Sequence, residues 1–123
     1  GNALRTMERI APLHRFIGEG DVNLFARLFE GGDPRRIQEF VKNTLDPITA
    51  RDPRGRAQLK ATLLCFFDCQ FNIARAAEEL DIHVNTVRRR LETLREVTGG
   101  WNDPIAALEL HVALKLDKII STA

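Results

Sequence analysis

Twenty residues constrain this chain more than any others: NIARAAEELDIHVNTVRRRL, Asn72 to Leu91. Ile73, Ala76, Ala77 and Leu80 follow i, i+3, i+4, i+7 spacing, one apolar stripe of an α-helix. Asn72 precedes the stripe as an N-cap whose side-chain oxygen can accept from a free N–H of the first turn. The small Ala76 and Ala77 admit a second helix at close range. Asp81-Ile82-His83 then makes a turn of about three residues, the connection a helix-turn-helix uses, with Asp81 where a left-handed residue is needed and an Asp tolerates it. The second helix is expected over Val84–Thr98, seated by Val87, Leu91, Leu94 and Thr98. Its outer face carries Asn85, Arg89, Glu92 and Glu96. Thr86 and Arg88 lie on the flanks, and Arg90 nearer the apolar stripe.

That face is rich in donors for two turns and acidic afterwards. The order suits a helix entering the DNA major groove by its N-terminal end, with Glu92 and Glu96 turned from the phosphates. Arg is suited to bidentate contact with guanine, and Asn with adenine. The spacing predicts Asn85, Thr86, Arg88 and Arg89 at base edges or adjacent phosphates, and Arg90 and His83 at phosphates. A plainer reading of Arg88-Arg89-Arg90 is a solvated face paired with Glu92 and Glu96. His83 likewise has a structural reading, capping the second helix, beside the phosphate reading.

The rest of the composition supplies no rival field. Net charge is +1 over 123 residues, so any nucleic-acid affinity must come from local placement. With 44% hydrophobic and 28% charged residues, the chain reads as one globular domain. No apolar run approaches the roughly 18 residues of a membrane span. The 2 cysteines lack framework spacing and suggest a reducing, cytoplasmic setting.

The segment resembles the C-terminal DNA-binding domain of PucR/CdaR-type bacterial transcription regulators and, more distantly, is similar to the helix-turn-helix of the nucleoid protein Fis. The residues that carry this are Leu59-x-x-Thr62-Leu63, Asn72, Ala76-Ala77, Leu80, Ile82-His83, Asn85-Thr86-Val87, Arg90-Leu91, Gly99, and the run Leu108-Glu109-Leu110-His111-x-Ala113-Leu114-x-Leu116. The resemblance covers about Leu24 to Ile120. Val84 stands where the family usually has a basic residue and Arg89 where it usually has Tyr, so a relative's target sequence does not transfer. The resemblance implies a dimer and a sensory region N-terminal to this domain, through which any small-molecule effector would act.

Elsewhere the signals are local. Residues 1–20 read as an N-terminal segment, with Gly1-Asn2-Ala3 as cloning residues and the remainder as the tail of an upstream region; Leu4–Ile17 has partial helical spacing interrupted by Pro12. Residues 21–123 form the helical domain. Val22–Phe29 is a short helix that Gly31-Gly32 ends. Pro34, Pro47, Pro53 and Pro104 each follow Asp, a helix-start signal. Hence a helix over Pro34–Thr44, a new short turn from Asp46-Pro47 through Ile48, and a last helix from Pro104 to about Ile120. Arg51–Arg56 reads as a loop whose Arg51, Arg54 and Arg56 are either solvated or phosphate contacts. The most apolar helix, Gly55–Gln70, should be central. Cys65 and Cys69 on it have no third ligand at motif spacing and poor disulfide geometry, so free thiols are expected. On the last helix Ile105, Leu108, Val112, Leu116 and Ile119 should pack on the domain, while Leu110 and Leu114 are either a wider internal contact or a dimer face.

No nucleophile motif, phosphate loop or paired carboxylates appear, and His14, His83 and His111 are dispersed. No catalytic residue, cofactor or metal is expected. The fold expectation is an all-α helical bundle of five to seven helices containing a Fis-like helix-turn-helix. The functional expectation is sequence-specific binding of double-stranded DNA as a homodimer. Its rivals are a helical self-association module and nonspecific nucleoid-type DNA binding.

Overall fold

A computed structural model describes residues 33–52 and 56–122. The expected helices over Leu4–Ile17 and Val22–Phe29 lie outside these residues, as do Pro53 and Arg54. The described residues form five helices and no strand: α1 (Pro34–Arg51), α2 (Gln58–Asp68), α3 (Ile73–Leu80), α4 (Val84–Thr98) and α5 (Pro104–Thr122). The described residues are all-α, as the periodicity predicts.

Asp33 caps α1, its carboxylate accepting from the Arg35 N–H at 3.0 Å, with Pro34 in the first turn. The helix does not end at Thr44 and restart at Pro47. It runs through Pro47 to Arg51. An internal proline costs a helix about 3 kcal/mol or more, through a lost hydrogen bond and a ring clash. Here Asn43 and Pro47 both lie on the exposed side, so the freed carbonyl faces solvent. Val41, Leu45 and Ile48, all buried on the other side, hold the two halves to one core. Arg51 is therefore the last residue of a helix and not part of a loop.

The central position of the most apolar helix is confirmed, though it is shorter than its sequence suggests. α2 packs against all four other helices and buries Leu59, Leu63, Leu64, Phe66 and Phe67. Its N-terminus lacks a local cap: Ala57 is left-handed with φ 57° and has no capping side chain. Asp52, seven residues before Leu59, accepts from the Leu59 N–H at 2.6 Å. At the other end Gln70 and Phe71 have φ of 57° and 65°. The Phe71 N–H donates to the Phe66 carbonyl and the Gln70 N–H to that of Phe67, both at 2.9 Å. This is a Schellman closure made without glycine. Its hydrophobic contact is the Phe71 ring edge-on to Phe66, centroids 5.3 Å apart. Cys65 and Cys69 are free thiols; burial, then the neighbouring Cys69, push the Cys65 thiol up to about 12.

On α5 the expected stripe packs on the domain through Leu108, Val112, Leu116 and Ile119, while Ile105 at its start is 46% exposed. Leu110 and Leu114 are buried within the chain, so they form the wider internal contact and not a dimer face. A polar anchor ties the helix to α2. Asp68 at the end of α2 meets His111 Nε2 at 2.9 Å and Lys115 Nζ at 3.1 Å. His111 is fully buried and Lys115 nearly so. Burial alone would raise the Asp68 pKa, but the His111 hydrogen bond and the Lys115 charge outweigh it and hold the carboxyl below its usual range.

Candidate nucleic-acid interface

The helix-turn-helix forms as its spacing predicts. Asn72 Oδ1 accepts from the Arg75 N–H at 3.0 Å and starts α3. Asp81, at φ 56° and ψ 47°, ends it in the left-handed conformation. The Ile82 N–H donates to the Ala77 carbonyl and the Asp81 N–H to that of Glu78, both at 3.1 Å, so this turn is also a Schellman closure. Ala76 and Ala77 are the buried residues of α3, which packs against both α2 and α4. Val87, Leu91 and Leu94, each at 0% exposure, fix the rotation of α4 about its axis.

His83 does what its structural reading requires. Its Nδ1 accepts from the Asn85 N–H at 3.0 Å, capping α4. An accepting Nδ1 puts the proton of the neutral ring on Nε2, and the residue is exposed, so the ring still offers a donor outward. His83→Ala should cost the domain about 1 kcal/mol, the usual worth of a lost N-cap. A urea midpoint unchanged from wild type would show that the cap contributes nothing.

The rotation fixed by the buried stripe leaves Asn85, Arg88 and Arg89 exposed and Thr86 half-buried. Arg88 Nη1 donates to Asn85 Oδ1 at 3.2 Å, and Arg89 Nη2 lies 3.4 Å from Thr86 Oγ1. Each pair is one helical turn apart, so the four side chains form two adjacent donor sets. Neither Arg88 nor Arg89 pairs with a carboxylate among the described residues. Glu96 pairs with Arg51 instead, at 3.8 Å, which draws that charge toward α1. The reading of the triplet as a Glu-paired face is thus not what the structure adopts.

Arg90 is placed differently from its neighbours. It is half-buried, and its Nη1 donates to Thr62 Oγ1 at 3.1 Å. Thr62, fully buried on α2, donates in turn to the Gln58 carbonyl at 2.8 Å. Thr62 belongs to the pattern Leu59-x-x-Thr62-Leu63, but nothing near it in sequence marks it as the partner of Arg90, 28 residues later. Thr62→Val keeps the volume and removes the acceptor. It should lower stability by about 1–3 kcal/mol, the cost of an unpaired buried donor, with helical content unchanged by circular dichroism.

Residues 59–116 match the family model described as the PucR C-terminal helix-turn-helix domain. The match spans just under half of the chain, so over this part the sequence is similar to the PucR type. The matched segment starts in α2 and ends in α5, and α1 precedes it. The chain is also 29% identical over 86 residues to a purine catabolism regulatory protein of Bacillus subtilis (strain 168). The match covers 69% of this chain and 16% of that relative, so the chain spans about a sixth of the regulator's length. No solved structure gives a significant match.

The structure explains the residues of the PucR-type pattern. Val87 and Leu91 seat α4, Asn72 and His83 cap helices, and Gly99 ends α4 at φ 82°. Asn85 and Thr86 are the part of H-x-N-T-V-x-x-R-L that points away from the seat. Among the described residues no helix is long and apolar enough to cross a membrane, and no three side chains cluster to hold a metal ion.

Proposed function

We propose that this PucR-type domain reads double-stranded DNA in a sequence-specific manner, as a homodimer, in a bacterial transcription regulator of the cytoplasm. The observation that carries the reading is the pair of donor sets on the first two turns of α4, Asn85 with Arg88 and Thr86 with Arg89, projecting from a rigid apolar seat without carboxylate partners. Asn85, Thr86, Arg88 and Arg89 meet base edges or the adjacent phosphates. His83, through Nε2, and Arg90, through the nitrogens that Thr62 does not use, meet phosphates. The relative's name, purine catabolism regulatory protein, supports a regulatory role. A small-molecule effector would act through regions of a longer regulator outside this domain. Two copies would place their α4 helices in successive major grooves about 34 Å apart, one duplex turn.

Selection from a randomised duplex pool tests the proposal, run at about 150 mM salt so that nonspecific phosphate attraction is suppressed. An enriched inverted repeat is the expected result. Retention without enrichment would replace it with nucleoid-type binding. No retention at that salt or below would leave α4 as packing in a self-association module.

A further inference from the structure

A groove of about 690 Å³ lies between α2, α3 and α5, and no residue of α4 lines it. It is therefore separate from the proposed DNA face. Leu64, Leu80 and Leu114 form its apolar wall, and Cys65 and Cys69 lie side by side on its α2 wall. Their Sγ atoms are 4.0 Å apart, and Cys65 Sγ is also 3.8 Å from the Ala76 carbonyl of α3. Cys69 is the C-cap residue of α2, just outside the regular helix, so its side chain is not held by a continuing turn.

The 4.0 Å spacing discriminates between two kinds of thiol chemistry. A disulfide has its sulfurs about 2.05 Å apart, so closure would need a movement of roughly 2 Å. Two thiolates sharing one metal ion through bonds of about 2.3 Å need sulfurs no more than about 4.6 Å apart, and reach that limit when the ion is linear between them. At 4.0 Å the pair is within this limit and about 0.6 Å short of the linear arrangement, a smaller movement than disulfide closure needs. Ions that prefer four ligands lack the others, since no third metal-binding side chain joins the thiols among the described residues. Soft thiolates select cations such as Cu(I), which accept two ligands.

We propose that Cys65 and Cys69 form a binding site for one soft, thiophilic cation of the Cu(I) class. Two S–H bonds break and two S–metal bonds form. Both protons leave to solvent, and no electron is transferred. The bound cation lies behind α3, against the helix whose Ala76 and Ala77 admit α4.

The test is anaerobic titration of the protein with Cu(I), supplied as its acetonitrile complex, against a chromophoric Cu(I) chelator. The chain contains only these 2 cysteines, so the result maps directly. One equivalent withheld from the chelator per chain is expected, with thiolate-to-copper absorption in the ultraviolet and two sulfur scatterers per copper by X-ray absorption. Cys65→Ala and Cys69→Ala should each abolish the retained equivalent while circular dichroism stays that of wild type. Two equivalents per chain, a single sulfur scatterer, or retention by either variant would overturn the assignment. The sulfur count reads the wild-type protein and does not depend on the variants folding. No step involves DNA, so failure here leaves the DNA-reading proposal untouched.

Discussion

Asp68→Ala is expected to destabilise the domain by about 3 kcal/mol, in the lower part of the range for removing one partner of a buried ion pair. The carboxylate is the common acceptor of a fully buried imidazole and of an ammonium whose side chain is 10% exposed. Without it Lys115 keeps its charge where solvent cannot reach it well. Asp68 itself is 33% exposed, which places the cost below the value for a fully buried pair. A domain of this size has only about 5–15 kcal/mol in total, so the loss should be plain in a urea titration followed by helical circular dichroism. Removing both charges, as in Asp68→Ala with Lys115→Met, should recover part of it, because replacing a whole ion pair with apolar groups is often neutral. A double variant no more stable than the single one would show that His111, and not Lys115, dominates the anchor. The pH dependence has a definite sign. The folded-state pKa of Asp68 lies below its ordinary value, so its contribution is complete above the ordinary carboxylate range and is lost as pH falls through the folded value. The stability gap between wild type and Asp68→Asn should therefore be constant near neutral pH and narrow in acid.

Arg89→Ala is expected to relax base preference at one position of each half-site. A bidentate base contact discriminates by about 1–3 kcal/mol, roughly 5- to 150-fold per half-site at 1.4 kcal/mol per tenfold. A two-fold complex loses the contact twice. Thr86 Oγ1 lies within reach of the guanidinium already, which narrows the rotamers it samples and makes lysine a poor substitute. Binding to a library of site variants distinguishes the outcomes. A flattened preference at one symmetric pair of positions supports base contact. Uniform weakening, with a shallower salt dependence, would reassign Arg89 to phosphate. An unchanged preference would remove it from the interface.

The parts of this fold that could be read in advance are those whose causes are local. The Asn72 cap, the left-handed Asp81 and the extent of α4 each follow from residues within one or two turns, and each is where the spacing places it. The misreadings share the opposite property. Pro47 reads as a start signal because local preference cannot weigh the burial of Leu45 and Ile48 on either side of it. The burial of His111 and Lys115 on α5 depends on Asp68, 43 and 47 positions away, and spacing within α5 contains no trace of that. The position of Arg90 near the apolar stripe is legible in the spacing, but its partner Thr62 comes from another helix and is not. The α2 terminus escaped notice because Gln70 and Phe71 replace the glycine that usually marks such a closure. Any bases that Asn85 and Arg89 would recognise under the proposed function are set by a partner molecule, so neither spacing nor packing within the chain specifies them.

The division of labour along α4 has an evolutionary consequence. Val87, Leu91 and Leu94 are at zero exposure, while Asn85, Arg88 and Arg89 are exposed, with the side-chain hydrogen bonds of this face made within α4. Substitutions at the outer positions change what is offered to a ligand at little thermodynamic risk, because surface changes away from caps and cores stay within about 0.5 kcal/mol. Under the proposed function, such a helix would work as an exchangeable reading head on a constant chassis. Paralogues could drift to new targets one outward side chain at a time, without first acquiring a stabilising mutation elsewhere.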